Sequence, residues 1–110
     1  METALIICDA PKGRELYEDF LKANGFEQVT VVDTSQSGRQ AFIENDYDIC
    51  IINSPLKSEN AISLSIDIAT GNSSQVILFV NNEIFEAAVN AVEKFGVLTV
   101  SKPFSRQFFL

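Results

Sequence analysis

Histidine is absent from the 110-residue chain, and its absence excludes histidine-based acid–base chemistry and the commonest zinc ligand sets. Positive charge is scarce as well. Eight Lys and Arg stand against fifteen Asp and Glu, a formal net charge of -7. A surface of that sign repels polyphosphate backbones, and only Lys12 and Arg14 lie close together, so direct nucleic-acid binding is not expected. Cysteine is limited to Cys8 and Cys50. Both sit in apolar runs, where a buried, reduced thiol is the ordinary state. No apolar run approaches the roughly 18 residues of a membrane span. Met1 to Ile7 has no basic flank and too short an apolar core for a signal peptide, so a cytoplasmic location is the expectation. The five glycines are dispersed, and neither GxGxxG nor GxxxxGK[ST] occurs.

What is present is an ordinary globular composition, 46% hydrophobic and 21% charged, enough for residues 1–110 to form one domain without metal or disulfide staples. Four short apolar runs recur along the chain: ALII (Ala4 to Ile7), ICII (Ile49 to Ile52), VILFV (Val76 to Val80) and VLTV (Val97 to Val100). A fifth, VTVV (Val29 to Val32), fills the gap between the first two. They are continuous rather than alternating, as in strands buried on both faces of a parallel sheet.

Helical spacing occupies the intervals. Leu16, Phe20 and Leu21 share one face after Pro11, and ANGF (Ala23 to Phe26) supplies a glycine stop. Ser37 to Asn45 reads as a shorter helix with Ala41 and Phe42 inward. Glu59 to Thr70 is ambiguous in periodicity, and the need for a crossover between parallel strands makes it a helix. Asn82 to Gly96 is the clearest helix, with Ile84, Ala88, Ala91, Val92 and Phe95 inward. The expected order is β-α-β-α-β-α-β-α-β, followed by a fifth helix of which the chain contains about one turn, ending in Phe108, Phe109 and Leu110. A longer parent protein or a covering partner is expected there.

Doubly wound sheets gather function at the C-terminal ends of their strands. Those positions hold Cys8 and Asp9, Asp33 and Thr34, Asn53, Val80 and Asn81, and Ser101, Lys102 and Pro103. In the segment YDICIINSPLKSEN a buried strand therefore delivers the polar Asn53 to an exit point followed by Ser54 and Pro55.

Asp9, Asn53 and the SKPF of Ser101 to Phe104 together resemble the receiver domain of two-component response regulators. The resemblance covers the whole chain, from LIICDA through YDICIINSPL and VILFV to GVLTVSKPFS. It implies a flavodoxin-like doubly wound five-stranded parallel sheet of order 2-1-3-4-5. The opening CDAPKGRE and the ending SKPFSRQFF are similar, more narrowly, to receivers that precede an ANTAR-type RNA-binding antiterminator region, an output absent from this chain.

In such receivers an acidic pair ends the first strand, the phosphoacceptor aspartate ends the third, a hydroxyl ends the fourth, and a lysine precedes proline at the fifth. Carboxylate nucleophile, clustered carboxylates for Mg²⁺, lysine and hydroxyl each serve phosphoryl transfer. Here Cys8 stands at the first acid, Asn53 at the phosphoacceptor and Val80 at the hydroxyl. Thr99 stands at the aromatic switch position, and Lys102 is retained. A neutral amide is a poor nucleophile, and Asp9 alone is too few carboxylates for octahedral Mg²⁺. The resemblance thus implies a pseudo-receiver with no catalysis, metal or cofactor, acting through a protein partner or homodimer across Asn82 to Leu110. Glu83, Glu86, Asn90, Glu93 and Lys94 are expected to be exposed there. Deamidation of Asn53 would restore a carboxylate but leave Cys8 and Val80 unchanged.

The charge count suggests a self-neutralised pocket in which Asp9 and Lys102 pair directly or through water, with Asn53 bonded to either. Plainer roles stand beside this one. Asp9 suits a helix N-cap, Lys102 a solvated turn, and Asn53 a side chain capping its own turn. Cys8 is expected beside Asn53 at the pocket rim. Cys50, about 10 Å away at strand rise, is too far from it for a disulfide. The alternatives are a small α/β domain binding an anion or nucleotide at the strand ends, and a relocated phosphoacceptor at Ser54 or Asp48.

Overall fold

The computed structural model describes residues 2–103. The apolar runs form strands β1 (Thr3–Ile7), β2 (Gln28–Val32), β3 (Ile49–Asn53), β4 (Gln75–Asn81) and β5 (Leu98–Lys102). All neighbours are parallel, in the order β2-β1-β3-β4-β5. Parallel neighbours need crossovers, and these are α1 (Pro11–Ala23), α2 (Ser35–Glu44), α3 (Ala61–Gly71) and α4 (Phe85–Val92). This is the expected flavodoxin-like sheet. The fifth helix expected from Ser105 onward lies outside the described residues.

Local chemistry sets the helix bounds. Pro11 occupies the first turn of α1, and Asn24 closes it before Gly25, whose φ of 93° favours a residue without Cβ. Thr34 accepts a hydrogen bond from the Ser37 N–H at 3.1 Å, so α2 begins two residues before the expected Ser37. Asn60 does the same for the Ser63 N–H at 3.0 Å, which starts α3 at Ala61. The ambiguous segment is indeed a helix, and its buried side chains are Ala61, Leu64, Ser65 and Ile68. The expected single helix Asn82 to Gly96 is divided. A 3₁₀ turn at Asn82–Ile84 and another at Glu93–Phe95 flank α4, and Gly96 ends the run at φ 80°.

The sheet separates two apolar layers. Leu5, Ile7, Cys50, Ile52, Leu78 and Val80 face α2, α3 and α4, whereas Ala4, Ile6, Cys8, Ile51, Phe79 and Val100 face α1. Each fully buried aliphatic of this kind contributes about 1.5–3 kcal/mol. Two inward assignments are corrected. Leu16 is 44% exposed, and Tyr17 takes the buried place on α1, because the register of that helix turns Tyr17 and Leu21 toward the sheet. Ile84 is 40% exposed, since it lies in the 3₁₀ turn before α4 rather than on its buried face.

Candidate functional site

Asn53 is the last residue of β3 and pairs with Phe79 of β4, which puts both side chains on the α1 face of the sheet. Tyr17 reaches down from α1 and packs its ring on Phe79, with centroids 4.7 Å apart. Its hydroxyl donates to Asn53 Oδ1 at 2.6 Å. From the other side, Lys102 Nζ donates to the same oxygen at 3.0 Å and to the Ser54 carbonyl at 2.6 Å. Because an ammonium only donates, the atom facing Lys102 must be the carboxamide oxygen. Asn53 and Tyr17 are buried, at 6% and 2% exposure, so this knot of α1, β3 and β5 is largely out of water.

Burial governs the titration of the knot. It pushes the Tyr17 phenol up, so the hydroxyl keeps its proton and stays a donor. Burial also pulls the Lys102 ammonium down from its usual value, opposed by the Cys8 thiol. No Lys102 ion pair with a carboxylate exists among the described residues. Asp9 Oδ2 instead accepts the Lys57 N–H at 2.8 Å, fastening the loop after β3. Lys102 therefore meets Asn53, as expected, but forms no direct pair with Asp9, because the loop backbone holds that carboxylate. Lys102 is also not a solvated turn residue, since β5 continues through it and its ammonium has buried acceptors.

The remaining candidates fall into place around this centre. Ala10, with no side-chain cap, is the N-cap of α1, so Asp9 is not. Asn53 caps no turn, its oxygen being taken by Tyr17 and Lys102. Cys8 lies one step beyond the Ile7–Ile52 pair, level with Asn53 as expected. It is fully buried rather than at a rim, with Sγ 3.4 Å from the Ala10 carbonyl, and burial is the main cause that pushes its thiol up. Cys50 pairs with Leu5, sits in the opposite layer from Cys8 and is likewise pushed up by burial. Both thiols are free.

Val80 is fully buried in the α3/α4 layer. Thr99 of β5, paired with Leu78 of β4, has a buried hydroxyl without a hydrogen-bond partner among the described residues. Of the alternative acceptors, Ser54 offers its backbone to Phe79 and Lys102, while Asp48 bonds the Thr3 N–H at the other end of the sheet. Asp33 approaches Arg14 at 3.9 Å, and Ser101 donates to Asn82 Oδ1 at 3.1 Å. The expected exposed residues Glu83, Glu86, Asn90, Glu93 and Lys94 are exposed.

Tyr17 is the member of the site that sequence reasoning did not find. Its only signal is a tyrosine four residues before Leu21 on the inward stripe, where a hydroxyl must find an acceptor once buried. Among the described residues no group of three His, Cys, Asp or Glu side chains could hold a metal ion. Cys8, Asp9 and Asn53 do not fit Mg²⁺, which takes hard oxygen ligands and several carboxylates, because they offer one carboxylate already bonded to the Lys57 N–H.

Comparison with solved structures places this geometry. A response regulator receiver domain from Clostridium thermocellum superposes with a TM-score of 0.85 over 99% of this chain and 88% of its own, at 19% identity. The fold is that of a response-regulator receiver domain. The receiver domain of NtrX from Brucella abortus gives a TM-score of 0.84 over 96% of this chain and 89% of its own, at 20% identity. In sequence, the transcriptional regulatory protein RprY of Bacteroides fragilis is 24% identical over 93 residues, 84% of this chain. The match spans 39% of the length of that protein. No family model matches the chain. Among the described residues no helix is long and apolar enough to cross a membrane.

Proposed function

We propose that this chain is a pseudo-receiver: a signalling domain of response-regulator type that transmits state through protein contact and takes up no phosphoryl group. The observation that carries the reading is the Asn53 carboxamide, at the end of β3, accepting both Tyr17 and Lys102 through its oxygen. An amide there has no nucleophilic oxygen anion to attack a phosphodonor, and its acceptor atom is already engaged. The donor set beside it is too poor in carboxylates for the divalent ion that such transfer uses. The domain is accordingly non-catalytic in this reading, needs no cofactor, and works in the cytoplasm.

Its partner, another protein or a second copy of the chain, would meet the stretch from Asn82 to Leu110. The exposed Glu83, Glu86 and Glu93 make that a polar and modest contact. Transcription regulation, and an RNA-binding output of ANTAR type beyond Leu110, are the corresponding readings for the whole protein.

The test is intact mass after incubation with Mg²⁺ and a small phosphodonor. The wild-type chain is expected to show no phosphoryl adduct, and an adduct would refute the proposal. Asn53→Asp alone is expected to remain unmodified and Asn53→Asp with Cys8→Asp to gain mass, each variant first checked for folding by circular dichroism.

A further inference from the structure

Above the Asn53 knot lies an open cleft of about 600 Å³, walled by Leu16 and Tyr17 of α1 and by Pro103, with Lys102 and Asn53 also lining it and Glu83 contributing from the β4 side. We infer that this cleft is a binding site for a small monocarboxylate with an apolar body. The inference rests on the reading of Asn53 as a position that is not phosphorylated, and it names what the same site binds instead.

Three features point to that ligand class. The first is the charge of the lining. Among the described residues Lys102 has only neutral acceptors, Asn53 Oδ1 and the Ser54 carbonyl, so two of its three N–H donors are used there and its charge meets no carboxylate. A partly buried ammonium in that state gains more from an incoming carboxylate than a solvated lysine would, because it is already desolvated and held in place. The downward displacement of its titration by burial agrees.

The second is the wall. Leu16 is 44% exposed although it is a large aliphatic on α1, and it borders the cleft together with the Tyr17 ring and Pro103. An apolar body laid there removes this surface from water, at about 25 cal/mol per Å². The third is what limits the ligand's charge. Glu83 shares the lining, and the chain carries a net charge of -7, so a dianion such as inorganic phosphate is disfavoured relative to a monoanion. The Tyr17 and Lys102 bonds fix the floor beforehand, which lowers the ordering cost of binding.

The experiment titrates the ¹⁵N-labelled 110-residue chain with benzoate, benzamide and inorganic phosphate, following backbone amide shifts. Benzoate is expected to give saturable shifts centred on residues 13–17, 53, 81–83 and 102. Benzamide, of the same shape without the charge, is expected to bind at least about tenfold more weakly, as is benzoate to Lys102→Met. Leu16→Glu, an exposed substitution that spares the core, is expected to weaken benzoate by a similar factor, and Glu83→Gln to tighten it.

Absence of saturable benzoate shifts overturns the inference. So do equal affinities for benzoate and benzamide, tighter binding of phosphate than of benzoate, or indifference of benzoate binding to both Lys102→Met and Leu16→Glu. A phosphoryl adduct on the wild-type chain would refute the pseudo-receiver reading separately, and that result is read by mass rather than by amide shifts.

Discussion

At the end of β3, the Asn53 carboxamide oxygen takes donors from α1 and β5, whereas on the other face of the sheet the Thr99 hydroxyl is buried with no hydrogen-bond partner among the described residues. These are the two places that the resemblance to receivers identifies as acceptor and switch. One is polar, crowded with donors and held by three elements. The other is apolar, with Leu78 paired to Thr99 and Val80 fully buried two residues further along β4, and has one polar atom left over. In a working receiver the two would communicate through a hydroxyl and an aromatic ring. Here the Asn53 oxygen is satisfied internally on one face, and the other face holds the buried Val80 and the unbonded Thr99 hydroxyl, so the two can be perturbed separately.

The largest effect is expected from emptying the acceptor pole. Asn53→Ala removes the acceptor of a buried phenol and of a half-buried ammonium, leaving both desolvated with fewer partners. A loss of about 2–4 kcal/mol is expected in urea unfolding. Asn53→Asp reverses the direction, because a carboxylate accepts the same two donors as charge-assisted bonds, so its stability at neutral pH should equal or exceed that of the wild type. If Asn53→Ala were no less stable than Asn53→Asp, the knot would not be what holds α1 to the ends of β3 and β5.

Tyr17→Phe is expected to cost less, about 1–2 kcal/mol, since Asn53 keeps Lys102 as a donor. Its signature is in pH. Burial raises the folded-state pKa of Tyr17 above the value of about 10 for a free phenol, so the protonated form is favoured by folding. The stabilisation is fully present below about pH 10 and is lost as pH rises from there toward the folded value. Cys8 and Cys50 titrate in the same sense from a lower unfolded value, so their contribution should begin to decline near pH 9 in the wild type, while Lys102, lowered in the fold, contributes in the opposite sense up to its free value. Tyr17→Phe should flatten the part of the decline above pH 10 and leave the earlier part, as read from unfolding midpoints across that range. An unchanged profile would mean that the phenol is not desolvated in solution.

The difference between the poles also explains what could be read from the chain beforehand. Continuous apolar runs such as ICII and VILFV determine strands, and the required crossovers then settle even the ambiguous helix around Leu64, because parallel topology leaves few alternatives. Asn53 at the end of β3 and Lys102 at the end of β5 were legible as strand-end residues and through the resemblance. The direct Asp9 to Lys102 pair was not, because counting charges ignores the Lys57 N–H that claims Asp9. Tyr17 was missed because the inward face of α1 was assigned by hydropathy. Leu16 then took precedence over an amphipathic ring whose hydroxyl could reach the site.

The smallest effect tests the switch pole and has the opposite sign. Alternation along β5 places Thr99 on the face opposite Val100, the α3/α4 side, next to Leu78. Its hydroxyl gives up hydration there and recovers no hydrogen bond. Thr99→Val keeps the β-branched shape and replaces the hydroxyl with a methyl, so it should stabilise the fold by up to about 1 kcal/mol, visible as a higher urea midpoint at unchanged slope. The same substitution made with Asn53→Ala should add independently, because the two residues lie on opposite faces of the sheet and share no bonding partner. A coupling beyond about 0.5 kcal/mol in that double-mutant cycle would mean that the poles still communicate, and that a path between acceptor and switch survives the loss of both hydroxyl and aromatic ring.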